Sequence, residues 1–168
     1  MTKEIINCEN FNKLEFHNEK IDFNTLKKIE ISTELIFNNC SIDNIEDSIK
    51  TYTKKITFIN CKIGKIWFIG TSFNGGLEMK NCLVKNQSSF EAIGPNLSKN
   101  QFIIENCVFN EFIDFFDCYF EGPIKIENNE FKQGTNIGIF LQVPYGIKEG
   151  IIFKIEDNKG NLFLETKN

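Results

Sequence analysis

The chain has 168 residues, 41% of them hydrophobic and 25% charged, with a net charge of −4. That is the size and composition of one folded domain, and with no basic run anywhere it argues against unaided binding to a nucleic-acid backbone. No apolar stretch approaches the roughly 18 residues that cross a bilayer and the start has no secretory h-region, so the expected setting is the cytoplasm, with no membrane partner.

Phe is abundant at 18 copies, and Ile is frequent too. Aromatic and β-branched residues suit half-buried pleated surfaces, so the composition leans to strands. In chain order, residues 1–12 read as a partial opening unit, because Asn7-Cys8 announces a motif that then recurs. Leu14-Glu-Phe-His-Asn-Glu-Lys-Ile21, Leu35-Ile-Phe-Asn-Asn-Cys-Ser-Ile42 and Ile56-Thr-Phe-Ile-Asn-Cys-Lys-Ile63 are its first full copies. Leu77–Val84, Phe102–Phe109 and Ile124–Phe131 follow, so that the six copies begin at steps of about 21, 21, 21, 25 and 22 residues, a length that suits one coil of a repeat fold. Two further copies, Ile66–Phe73 and Ile113–Phe120, start about half a coil later.

Inside each copy the large apolar residue recurs every fifth position, as in Phe58, Ile63, Phe68 and Phe73. A step of five is neither helical nor that of a flat strand; it fits a backbone that turns a corner every five residues. Ile56/Phe58, Cys61/Ile63, Ile66/Phe68 and Thr71/Phe73 then make four inward pairs, which close one square coil. The predicted fold is all-β, a right-handed parallel β-helix (a solenoid) over residues 1–145, with six coils forming a rod about 30 Å long at ordinary strand spacing. A three-sided β-helix is the alternative. Asn18, Asn39, Asn60, Asn81, Asn106 and Asn128 fall in one column. Asn tolerates the left-handed conformation that a corner demands, and stacked amides can hydrogen-bond along the column.

Three stretches depart from the pattern. Residues 22–34 and 43–55 are irregular, and Leu26–Ile29 or Ile45–Ile49 could be a helical turn. Residues 86–101 carry Ser, Gly, Pro and Asn and read as a loop bulging from one side. At the C-terminus, Gln142–Gly146 reads as a turn, and 146–168 as a β-hairpin cap around Asn158-Lys-Gly160, able to serve as a homodimer edge.

Between residues 14 and 133 the repeat resembles that of the pentapeptide-repeat proteins, in which a small residue, a polar one, Leu or Phe and two more polar residues recur. The small inward position is often Ile or Leu here, and Phe112 and Pro123 interrupt the spacing. The resemblance implies a four-sided coil. It also brings in relatives that resemble DNA and occupy topoisomerases, a role that needs a continuous acidic stripe, whereas here Lys is interspersed.

The six cysteines follow the repeat, which favours a buried ladder of free thiols over disulfides; parallel Cβ vectors also disfavour the disulfide torsion. Their spacing does not suit zinc, and no cofactor motif is present. His17 is the only histidine and reads as a surface residue. Asp114, Asp117 and Glu121 are the acids that a polysaccharide-cleaving β-helix could use as a pair, although the chain has no Arg to clamp an anionic sugar. Trp67, Ile69, Phe116 and Tyr119 are large residues at outward positions. Together with Asp114 and Glu121 they form the candidate partner-binding set, since exposed aromatics mark protein contacts; a covering loop 86–101 is the competing reading. The expected function is non-enzymatic binding of another protein, such as neutralisation of a bacterial toxin by an immunity protein. Carbohydrate binding or cleavage and mimicry of DNA are the alternatives.

Overall fold

A computed structural model describes residues 13–21, 32–97, 99–140, 148 and 150–165. The expected partial coil at 1–12, Cys8, Leu26–Ile29 and Gln142–Gly146 lie outside the described residues.

The strands run parallel throughout, and consecutive coils sit directly on one another. Leu14 lies opposite Leu35, Leu35 opposite Ile56, and Ile56 opposite Leu77. Leu77 then meets Phe102, Phe102 meets Ile124, and Ile124 meets Phe153. These strands make one seven-stranded sheet, the first side of the rod. A second sheet wraps the next two sides. Its longest strands, Ser41–Ser48 and Lys62–Ile69, run through the corner between those sides. The corner is tight: at Gly64 a Cβ would collide with the Asp43 carbonyl of the coil below, so no other residue fits without movement.

Burial settles the number of sides. In the coil from residue 56 to 73, all four expected inward pairs are buried. So are Leu77/Met79, Cys82/Val84 and Phe90 in the next coil, and Phe102/Ile104, Cys107/Phe109, Ile113/Phe115 and Cys118/Phe120 in the one after. The coil is therefore four-sided, and the three-sided alternative falls. Rings stack along the rod axis near the strand spacing: Phe16–Phe37 at 5.0 Å, Phe37–Phe58 at 4.9 Å, Phe90–Phe115 at 5.3 Å and Phe109–Phe131 at 5.1 Å. Each such pair adds about 0.5–1.5 kcal/mol beyond the area it buries.

Two of the four corners use left-handed backbone. After the first side, Asn18, Asn39, Asn60, Asn81, Asn106 and Asn128 all have φ of 53–56°, and Asp157 continues the column at 54°. The amides bond along it, Asn39 Nδ2 to Asn18 Oδ1 at 2.6 Å and Asn81 Nδ2 to Asn60 Oδ1 at 3.1 Å. The opposite column is Ile49, Gly70, Ala92 and Asp117. The residue following the first corner points inward. There Cys40, Cys61 and Cys82 donate their thiols to the carbonyls of Phe16, Phe37 and Phe58 in the coil below, at 3.4–3.5 Å. Asn129 and Asn158 take over the slot and donate to the Ile104 and Ile126 carbonyls at 2.9 and 2.7 Å. Cys118 holds the corresponding slot after the second left-handed corner and bonds the Phe90 carbonyl at 3.1 Å.

Three expectations change. Residues 86–101 are not a loop throughout: Ser88–Ser89 is a strand paired with Ile113–Asp114, and Phe90 is a core residue. Buried Ser88 stands where neighbouring coils have Ile, and its hydroxyl accepts the Ile66 N–H at 3.0 Å. Second, Ile45–Ile49 is no helical turn, because Ser41–Ser48 is a strand paired with Lys62–Ile69. Finally, the C-terminal segment does not fold back as a hairpin. Phe153–Glu156 pairs parallel with Ile124–Glu127, and Lys159 bridges Glu130. Asp157 turns the left-handed corner and Asn158 fills the thiol slot, so Asn158-Lys-Gly160 begins the second side of one more coil. The one helical turn among the described residues, Ile137–Phe140, lies on the third side. No helix among the described residues is long and apolar enough to cross a membrane.

Candidate functional site

The residues singled out from sequence lie on the third side and around the corner onto the fourth. Parallel pairing puts Trp67 opposite Ser89 and Ser89 opposite Asp114. Trp67 and Asp114 thus share a column, as do Ile69 and Phe116, but the coil holding Ser89 and Glu91 comes between them. The sequence reading missed that coil. At the usual strand spacing the two pairs stand about 10 Å apart, so Trp67 and Ile69 are not on the rung next to Phe116.

Trp67 is half-buried, and the Lys65 ammonium sits 4.2 Å from its ring centroid. That ammonium also lies 3.6 Å from Glu46. A cation over the ring face satisfies it internally, and Ile69 is half-buried beside it. Phe116 is different: it is 48% exposed, and its ring partner among the described residues is Phe140, edge-on at 5.3 Å from the helical turn of the next coil. Beyond the Asp117 corner, Tyr119 is 37% exposed on the fourth side. The exposed aromatics of this corner are therefore Phe116 and Tyr119, with half-buried Phe140 packed edge-on against Phe116. Phe140 could not be assigned from sequence because it stands on a helical turn outside the five-residue spacing.

Each of the three acids has an engagement of its own. Asp114 accepts the Phe116 backbone N–H at 2.8 Å and the Asn136 amide at 2.6 Å, which ties it to its own turn and to the next coil. Asp117 occupies the left-handed corner, and Glu121 lies 3.8 Å from the Lys148 ammonium. These roles position the corner and its neighbours. Among the described residues no group of three or more His, Cys, Asp or Glu side chains is arranged to hold a metal ion. His17 is exposed and lies 3.2 Å from Glu15.

Two polar arrangements were not foreseen. Asp47 is buried in the column that otherwise holds Phe68, Phe90 and Phe115. The buried Tyr52 hydroxyl donates to its carboxylate, and the Lys50 ammonium lies 3.1 Å away. Burial, reinforced by Asp47, pushes the Tyr52 phenol far above its ordinary range, so it acts as a fixed donor and not as a base. The other is a row of ion pairs on the first side. Glu78 meets Lys55 and Lys80, Lys80 reaches Glu105, and Lys125 links Glu105 and Glu127. Lys154 joins Glu127 and Glu156 at the end of the row. Burial alone would raise the Glu78 carboxyl, but Lys55 and Lys80 outweigh it and hold it below the ordinary carboxylate range.

The thiols at 40, 61, 82, 107 and 118 are free and buried. Burial raises Cys40 and Cys118. Contact with the Cys107 thiol, followed by burial, pushes Cys82 up to about 12, while the same contact lowers Cys107. An open cleft of about 320 Å³ lies at the first corner near the C-terminal end, lined by Asn106, Asn128, Asp157, Glu130 and Lys159 among others. No family model, curated protein or solved structure matches the chain.

Proposed function

We propose that this solenoid is a non-enzymatic protein-binding module whose contact corner is Phe116, Phe140 and Tyr119. The observation that carries this is Phe116, 48% exposed on a coil whose interior is closed by stacked phenylalanines. A large ring fixed on a packed scaffold loses little freedom on binding, which is what makes aromatic anchors effective. Trp67 and Ile69 leave the proposed set, because the first is engaged by Lys65 and both stand two coils away. Asp114 and Glu121 remain as groups that shape and border the corner.

The narrower form of the proposal is an inhibitor or immunity protein acting in the cytoplasm, neutralising a partner such as a toxin by covering its working surface. Mimicry of DNA is the weaker reading, because the Lys and Glu of the first side neutralise one another along its length. A pentapeptide-repeat kinship is compatible with the four-sided coil and the five-residue steps.

The test is affinity capture from source cells with the wild type beside Phe116→Ala/Tyr119→Ala and, separately, Trp67→Ala. A stoichiometric protein retained by the wild type and by Trp67→Ala, and lost with the double variant, supports the corner. Equal capture by all three removes it.

A further inference from the structure

The last coil ends the described rod with its interior open. Throughout the first side, inward residues from Leu35 to Ile126 are no more than 2% exposed, yet Phe153, in the same row, is 53% exposed. Ile152 at 76% and Phe163 at 55% add to the same end, with Ile155 and Leu162 only partly buried against the core. The strand Phe153–Glu156 is also the terminal strand of the seven-stranded sheet. Its downward bonds run from the Ile124 and Asn128 N–H groups to the carbonyls of Ile152 and Glu156, at 3.1 and 3.2 Å. Because backbone groups alternate in direction along a parallel strand, the N–H and C=O of Phe153 and Ile155 point away from the rod.

We propose that this end is a self-complementary interface that receives the same end of a second copy across a two-fold axis at Ile155. An antiparallel pair centred there sets Ile155 against Ile155 of the second copy. Each then uses its outward N–H and C=O in a hydrogen-bonded pair, and both side chains stay on the core face. The same register puts Lys154 opposite Glu156 of the second copy and Glu156 opposite its Lys154, on the solvent face. These side chains are half exposed, at 50% and 55%. Moving the centre to Lys154 would set lysine on lysine, and moving it to Glu156 would set glutamate on glutamate. Charge and backbone direction therefore select one register. The contact is isologous and closes at two copies, and it removes the open sheet edge that would otherwise template uncontrolled pairing. The proposal does not depend on the Phe116 corner, which lies on the sides of the rod.

The test is sedimentation equilibrium on the full chain, whose single-copy mass is 19.5 kDa. The wild type is expected at two copies. Lys154→Glu and Glu156→Lys each place like charges opposite one another twice, weakening association by about tenfold. An equimolar mixture of the two variants restores the opposite-charge pairs and the two-copy mass. Should Lys154→Glu fail to fold by circular dichroism, Glu156→Lys decides alone. It is expected to be monomeric at low salt and two-copy near 1 M NaCl, where screening acts over about 3 Å. A wild type that stays at one copy, open-ended growth, or variants that associate as tightly as the wild type would overturn the proposal.

Discussion

Replacing Ile49 by Asn should make the protein more stable. Ile49 occupies the second left-handed corner with φ of 54° and is 87% exposed, so its side chain gains nothing from burial. In the same column the other coils have Gly70, Ala92 and Asp117. A left-handed conformation costs an ordinary L-residue about 1–2 kcal/mol, more for a β-branched one, and Asn is among the few that tolerate it. Ile49→Asn should thus gain about 1 kcal/mol, a rise in melting temperature of about 2–4 °C for a chain of this size. Ile49→Gly should gain less, because glycine loses more freedom on folding. The assay is urea and thermal unfolding followed by far-ultraviolet circular dichroism, with Asn60→Ile as the reciprocal; that variant should lose about 1–2 kcal/mol. A destabilised Ile49→Asn would refute the reasoning, since it would mean that the isoleucine side chain holds the fold through a contact stronger than the backbone strain.

Other consequences can be checked with the same preparation. Phe90→Ala should cost about 3–5 kcal/mol through the cavity it leaves, whereas Phe116→Ala should stay within about 0.5 kcal/mol, which unfolding curves resolve directly. The five thiols at 40, 61, 82, 107 and 118 should resist an aromatic disulfide reagent in the native state and react in denaturant; fast native labelling at any of them would contradict their burial. Tyr52 has a raised folded pKa, so its contribution is complete below the unfolded value near 10 and fades as pH climbs above it. Tyr52→Phe should accordingly flatten the alkaline arm of a stability profile. Glu78 has a lowered folded pKa, so its contribution is present above the unfolded value and is lost as pH falls below about 4. Glu78→Gln should flatten the acid arm.

The fold was legible because one number, five, governs where the large apolar residues fall, and because Asn marks one corner in every described coil but the last. A register set by repeated side chains survives degeneracy: Met79 replaces Phe in its row without disturbing it. What sequence could not show were the coils in which a polar residue fills an inward slot. Buried Ser88 and Asp47 are satisfied by Ile66 and by Tyr52 and Lys50, partners that no local pattern exposes. Misreading the Ser88 coil as a loop is also what joined Trp67 to Phe116 on paper. The last coil was misread for a related reason. Alternation on both sides of Asn158-Lys-Gly160 describes a hairpin and a coil corner equally well, and only pairing with the strand beneath separates them.

The column of left-handed asparagines also makes the molecule divisible. Asn39, Asn60 and Asn81 place the backbone in the same conformation at the same point of three successive coils. Each is a splice point: removing residues 60–80 would join Ile59 to Asn81, a junction of the kind already present at Ile59 and Asn60. The rod would shorten by one layer, about 4.8 Å, with its cross-section and both ends kept. Length in such a chain can thus change in whole layers, and a binding corner or an end contact can be moved along the axis without being redesigned.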